Sequence, residues 1–244
     1  MPILIVATAL WGGASGWCIL AALHRLAVPA GDPWRTTCPH GHPLPNHLWG
    51  WLAPWCAAGG HRYPSTARAG SIPAAVISVC GLLAFTTGPH PELVVWLLLT
   101  PAGTLLALVD ARTHRLPDVL TLPLAAVALA LLGAASLLPG AAGAWTGALL
   151  GALTLTTLFL IVFLASPRTL GFGDVKLAPA LGTVLGWYGW PLLLLGLFIG
   201  CLLAAAHGLL LIARREATAR TALPFGPPLL LGALLAIAAD RLLF

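Results

Sequence analysis

The stretch from Thr169 to Arg215, TLGFGDVKLAPALGTVLGWYGWPLLLLGLFIGCLLAAAHGLLLIARR, decides what kind of fold this is. Between Asp174 and Arg214 the one charged residue is Lys176, and the run shows no polar stripe of helical period. Trp187-Tyr188-Gly189-Trp190-Pro191 divides it into apolar segments near 175–188 and 190–213. A helix needs about 20 residues to cross the hydrocarbon core, so the second segment is long enough and the first is short, either tilted or partly re-entrant.

The rest of the chain repeats this pattern. Of its 244 residues 59% are hydrophobic and 8% charged, with a mean hydropathy of +0.95, whereas soluble domains carry about 25% charged residues. Apolar runs lie near 3–27, 71–89, 91–110, 118–138, 142–166, 175–188, 190–213 and 222–243. The expected fold class is therefore all-α, a polytopic membrane helical bundle of about eight transmembrane helices in contact with membrane lipids. It divides into a first transmembrane helix (1–27), a polar loop (28–70) and a membrane-embedded core (71–244). The first run is too long for a cleavable leader and lacks a charged start, so it is expected to stay.

Orientation follows from the basic residues. With eight alternating spans, eleven of the twelve fall on one side: Arg25, Arg35, Arg62 and Arg68 near the first loop, Arg112 and Arg115, Arg168 and Lys176, then Arg214, Arg215 and Arg220; Arg241 falls opposite. The positive-inside rule makes that side cytoplasmic. No basic patch interleaved with aromatics appears, so no nucleic acid partner is expected.

Only seven carboxylates occur, and two end apolar runs on this same side: Asp110 in LALVDARTHRLPD and Asp174 in TLGFGDVK. An ionisable group is costly there and marks function. The Gly171-Phe172-Gly173-Asp174 turn presents its aspartate at a helix start, where glycines permit backbone conformations and approaches that a β-carbon forbids. Two carboxyls sharing a proton perform acid/base chemistry without a metal. Plainer readings stand beside this: Asp174 as a helix cap, Asp110 as a solvated end pairing with Arg112 or His114, and Asp118 as the N-cap of the fourth span. Lys176 either biases Asp174 or snorkels to the interface. His207, deep in a span, is expected in an interhelical hydrogen bond.

Taken together, Asp110, Leu116-Pro117-Asp118, Gly171-Phe172-Gly173-Asp174-Val175-Lys176 and Leu223-Pro224-Phe225-Gly226-Pro227 resemble the type IV prepilin peptidases, intramembrane aspartic proteases of the Gly-x-Gly-Asp type. The resemblance implies that Asp110 and Asp174 are the catalytic pair, with Gly171, Gly173 and Lys176 as the supporting turn. It implies cleavage of prepilin or pseudopilin leaders at the cytoplasmic face of a bacterial inner membrane. Bifunctional members also methylate the new N-terminus with S-adenosylmethionine and carry two CxxC pairs that look like a zinc site. Here Cys38-Pro39-His40-Gly41 and Cys56-Ala57-Ala58-Gly59 each lack the second cysteine, although Arg62-Tyr63-Pro64 matches the family. A loop without zinc is therefore expected, as is a peptidase that needs no cofactor, and S-adenosylmethionine is not expected. Cys38, His42, Cys56 and His61 are the donors that would hold a metal if the loop binds one. Two other functions compete: a small transporter relaying protons or cations through the aspartates, and a non-catalytic assembly partner.

Overall fold

In lipid every backbone polar group has to find a partner inside the protein, which leaves the helix as the spanning element for an apolar run. The computed structural model describes residues 2–29, 31–53, 55–56, 58–60, 70–114, 116–167, 170–216, 218, 221 and 223–243. Among these residues it contains α1 (Pro2–Leu26), α2 (Leu48–Leu52), α3 (Ser71–Thr87), α4 (Glu92–Thr113), α5 (Asp118–Ala135), α6 (Trp145–Ala165), α7 (Phe172–Gly186), α8 (Trp190–Ala213) and α9 (Gly226–Leu243), and no strand. The fold is all-α, as composition requires. Each expected span has its helix, and α2 is an addition within the loop. The count of eight divides, however: α1, α4, α5, α6 and α8 are long and apolar enough to cross a membrane, while α3, α7 and α9 are shorter. Their outward faces carry Phe85, Leu153, Ile161, Phe198 and Leu209, a surface suited to lipid.

Lipid tails are as apolar as leucine, so helices associate where small residues let backbones approach. Three seams of that kind organise the bundle. On α6 and α7, Gly147 and Gly151 meet Gly186 and Gly182; a β-carbon at Gly147 would lie 2.5 Å from the Gly186 carbonyl oxygen, and one at Gly151 would collide with that of Gly182. On α8 and α9, a β-carbon at Gly232 would lie 2.5 Å from the Gly196 carbonyl. On α1 and α3, one at Gly16 would lie 2.6 Å from Cα of Pro73. The short α7 sits in the middle, in contact with α5, α6, α8 and α9, and most of its residues from Asp174 to Gly186 are buried.

The second central helix, α4, separates two cores. One gathers Leu106, Leu132, Leu155, Leu177 and Leu185; the other gathers Leu20, Leu23, Val76 and Val109 with Cys38 and Cys56 of the loop. Pro101 lies inside α4 and, lacking an N–H, leaves the carbonyl of Leu97 without its helical donor. The Trp11 indole of α1 supplies one at 2.7 Å. The loop is anchored likewise: buried Arg25 donates to the carbonyls of Pro45 (2.7 Å) and Gly50 (2.9 Å) and lies 4.7 Å over the Trp51 ring. His207 departs from expectation, since it faces outward from α8.

The seams have a measurable cost when filled. Gly182→Ala and Gly147→Ala should each lower stability by about 1–3 kcal/mol, the usual range for overpacking, read as a drop in melting temperature in detergent. Gly81→Ala, whose β-carbon meets nothing within 4 Å, should be neutral or slightly stabilising. Seam variants that melted like the parent would show the helices to be loosely packed.

Candidate active site

Three helix ends converge on one buried spot. Asp110 stands in the last turn of α4, Asp174 is the third residue of α7, and Gly226 is the first residue of α9. Both carboxylates are nearly enclosed, at 5% and 7% exposure, and they are close enough to interact electrostatically. Asp110 Oδ2 accepts the buried backbone N–H of Gly226 at 3.0 Å. A helix N-terminus leaves such donors without partners inside the helix and favours negative charge, so α9 aims its positive end at this carboxylate.

Local sequence explains how the ends are held. The α4 helix stops at His114, which adopts a left-handed conformation (φ 51°) while its N–H donates to the Asp110 carbonyl at 2.8 Å. Pro117 then keeps the chain extended before α5. The buried Leu116 side chain rests on Gly173, where an added β-carbon would lie 3.3 Å from it. Asp118 pairs with Lys176 at 2.5 Å, and the Lys176 ammonium lies 4.7 Å over the Phe172 ring. The α4–α5 link is thus fastened to the first turn of α7.

Several expectations change here. Asp118 is not a cap: Pro117 occupies the cap position, Asp118 is the first helical residue, and its side chain serves the ion pair. Lys176 is engaged with Asp118, a partner neither sequence reading named for it. Gly171 and Gly173 do not use glycine's conformational range, since neither has positive φ. They are small for want of room, with a β-carbon at Gly171 falling 3.3 Å from Asp174 Oδ2. Asp174 is not the N-cap residue, which is Gly171; its carboxyl takes a hydrogen bond from the Gly171 backbone N–H, and its own N–H donates to the Gly171 carbonyl at 3.0 Å. Gly226, within the Leu-Pro-Phe-Gly-Pro signature, joins the site through its backbone N–H. Its partner lies 116 residues away, a contact no local pattern announces.

The polar loop makes a second constellation. Cys38 Sγ, His42 Nδ1 and Cys56 Sγ lie within 4.8 Å of one another, with sulfur–nitrogen separations of 3.5 Å and 3.8 Å. Zinc with ligand distances of about 2.3 Å to sulfur and 2.0–2.1 Å to nitrogen sets tetrahedral sulfur and nitrogen donors roughly 3.6 Å apart, which both sulfur–nitrogen separations match. The His40 N–H donates to Cys38 Sγ at 3.4 Å. His61, the fourth expected donor, and Arg62-Tyr63-Pro64 lie outside the described residues.

Comparison with known proteins agrees with the geometry. Residues 95–209 match the type IV leader peptidase family, a stretch that contains both aspartates and ends before Gly226. The prepilin leader peptidase/N-methyltransferase of Aeromonas hydrophila is 33% identical over 224 residues, covering 88% of this chain and 73% of that protein. The Aeromonas salmonicida protein of the same name is 34% identical, covering 88% and 72%, and that of Pseudomonas aeruginosa 32%, covering 74% and 59%. No solved structure matches. The chain belongs to the type IV leader peptidase family.

Proposed function

We propose that this chain removes the leader of prepilins or pseudopilins by aspartic hydrolysis at the cytoplasmic boundary of a bacterial inner membrane, with Asp110 and Asp174 as the catalytic pair. One observation carries the reading: two buried carboxyls at facing helix ends, within each other's field, in a chain with seven carboxylates in all. Like charges so placed favour sharing one proton. The unprotonated member takes a proton from water as it adds to the scissile carbonyl, and the protonated member gives its own to the carbonyl oxygen. Collapse of the tetrahedral intermediate breaks the C–N bond and delivers a proton to the departing amine. The Gly226 N–H, donated to Asp110 Oδ2, holds that carboxyl in place within the pair. The cytoplasmic side is supported by the eleven basic residues on the face of the aspartates.

The relatives' name has two halves, and only the peptidase half is extended to this chain. The methyl-transfer half, with its S-adenosylmethionine, is left out because two of the family's four loop cysteines are replaced. A transporter relay gains no support, because the space beside the aspartates is lined by apolar and small residues and two threonines. In the loop, the convergence of Cys38, His42 and Cys56 favours a structural zinc over the metal-free loop expected from sequence. Bound there, zinc would tie both loop cysteines into the core they share with α1 and α3. The hydrolysis itself needs no metal.

Asp110→Asn and Asp174→Asn should each abolish cleavage of a prepilin substrate while the protein still inserts and folds; more than a few percent residual rate would remove that residue from the pair. The parent's pH–rate profile should be bell-shaped, with both limbs belonging to the coupled pair. Gly226→Ala places a β-carbon 2.7 Å from Asp110 Oδ2 and should cost at least about tenfold in kcat, the scale of a displaced catalytic group. Asp118→Asn should keep most activity, because an exposed ion pair contributes about 0–1 kcal/mol. For the loop, elemental analysis should find about one zinc per chain, and chelation should lower the melting temperature. Metal-free protein with an unchanged melt would restore the degenerate-loop reading.

A further inference from the structure

One helical turn from the two aspartates the bundle is not filled. A cavity of about 320 Å³ lies between α3, α4, α5, α7 and α9. Its wall is in helical register with the site: Ala107 precedes Asp110 by one turn and Gly103 by two, Leu177 and Ala180 follow Asp174 at the same spacing, and Pro227 and Leu230 follow Gly226. Residues three and four apart share a helix face, so the cavity continues the faces on which the carboxylates stand. Along α4 it reaches Trp96, about 16 Å from Ala107 at 1.5 Å per residue, in the second turn of a helix long enough to cross a membrane.

Chemistry and size restrict what enters. The wall carries no charge, and its side-chain donors are engaged: Thr100 donates to the Trp96 carbonyl at 2.7 Å, Thr104 to the Thr100 carbonyl at 2.8 Å, and the Trp96 indole to Tyr188 Oη at 3.0 Å. An apolar occupant is required. A helix 10–12 Å wide over that length fills on the order of 1,500 Å³, so a whole helix is excluded. A cavity of ~150 Å³ holds one benzene, so this one takes about two large side chains.

We propose that the cavity is a side-chain subsite of the peptidase, receiving about two large apolar side chains of the substrate from just beyond the scissile bond, in a stretch unwound from helix. The inference rests on the leader-peptidase reading of Asp110 and Asp174. Cleavage there separates a polar leader from an apolar segment, and only the apolar side matches a wall without charge or free donor that extends from the aspartates into the bilayer. Gly103 and Ala107 set its depth. A β-carbon on Gly103 would meet Leu230 at an ordinary 3.9 Å, so a larger residue there fills the cavity without disturbing the backbone.

The test uses the full chain in detergent and two substrates with one leader, bearing either two large apolar residues or two alanines after the scissile bond. Gly103→Leu and Ala107→Leu should raise KM for the first substrate by about tenfold or more, within the roughly 10–200-fold that pocket methylenes command. On the alanine substrate kcat/KM should stay within about twofold of the parent. Gly103→Ala should give a smaller shift of the same sign, and melting curves report folding of each variant. In a second arm, Asp110→Asn protein is photocrosslinked to substrate carrying benzophenone at those two positions, with adducts expected on α4 or α7 lining peptides. That arm needs no cleavage, so it decides the subsite even if the dyad reading fails in the parent. Equal losses on both substrates, adducts elsewhere, or unchanged kinetics with a co-purifying lipid chain displaced by Gly103→Leu would each overturn the proposal.

Discussion

The bundle depends on holding a helix too short to hold itself. With 15 residues, α7 does not cover a bilayer, and its polar start has to lie at a fixed depth beside Asp110. The α6–α7 seam does this by backbone contact, with four glycines in two facing pairs. Burial of apolar surface cannot fix depth in lipid, where sliding a leucine along a neighbour costs little. Glycines pressed against carbonyls do fix it, since a slip of one residue places a side chain where only a hydrogen fits.

Once α7 is set, the polar contacts at its start form a consistent whole. Lys176 and Phe172 secure Asp118, Leu116 covers Gly173, and the α4 end that leads into this link carries Asp110. The α9 N-terminus completes the arrangement from a third direction. Each contact is modest by itself. Together they confine two carboxylates to a place where water is scarce and where the Gly226 amide is the backbone donor that Asp110 receives.

Much of this was legible in the chain, and what was not has identifiable causes. Apolar runs between breaks located the helices, because hydropathy is a local property. The aspartates stood out because charge is so rare here. Asp118 was misjudged as a cap since capping and ion pairing use the same residue type at the same position, and the choice depends on Lys176, which lies 58 residues away. For Gly171 and Gly173 the conformational half of the expectation fails, because a glycine required for space and one required for a positive φ are spelled alike. In the loop, the number of cysteines suggested loss of a site, but whether His42 approaches Cys38 and Cys56 is a matter of chain path that counting does not reveal. The glycine seams passed unread, because a GxxxG spacing carries meaning only once its partner helix is known.

The Gly226 amide has a bearing on how the protein comes into being. Asp110 is made with α4, but its donor arrives with α9, after the four helices α5 to α8 have been made. Through that interval the carboxylate lacks the backbone donor it will later receive. The order of synthesis therefore completes the surroundings of Asp110 late, when the α9 N-terminus docks against the end of α4.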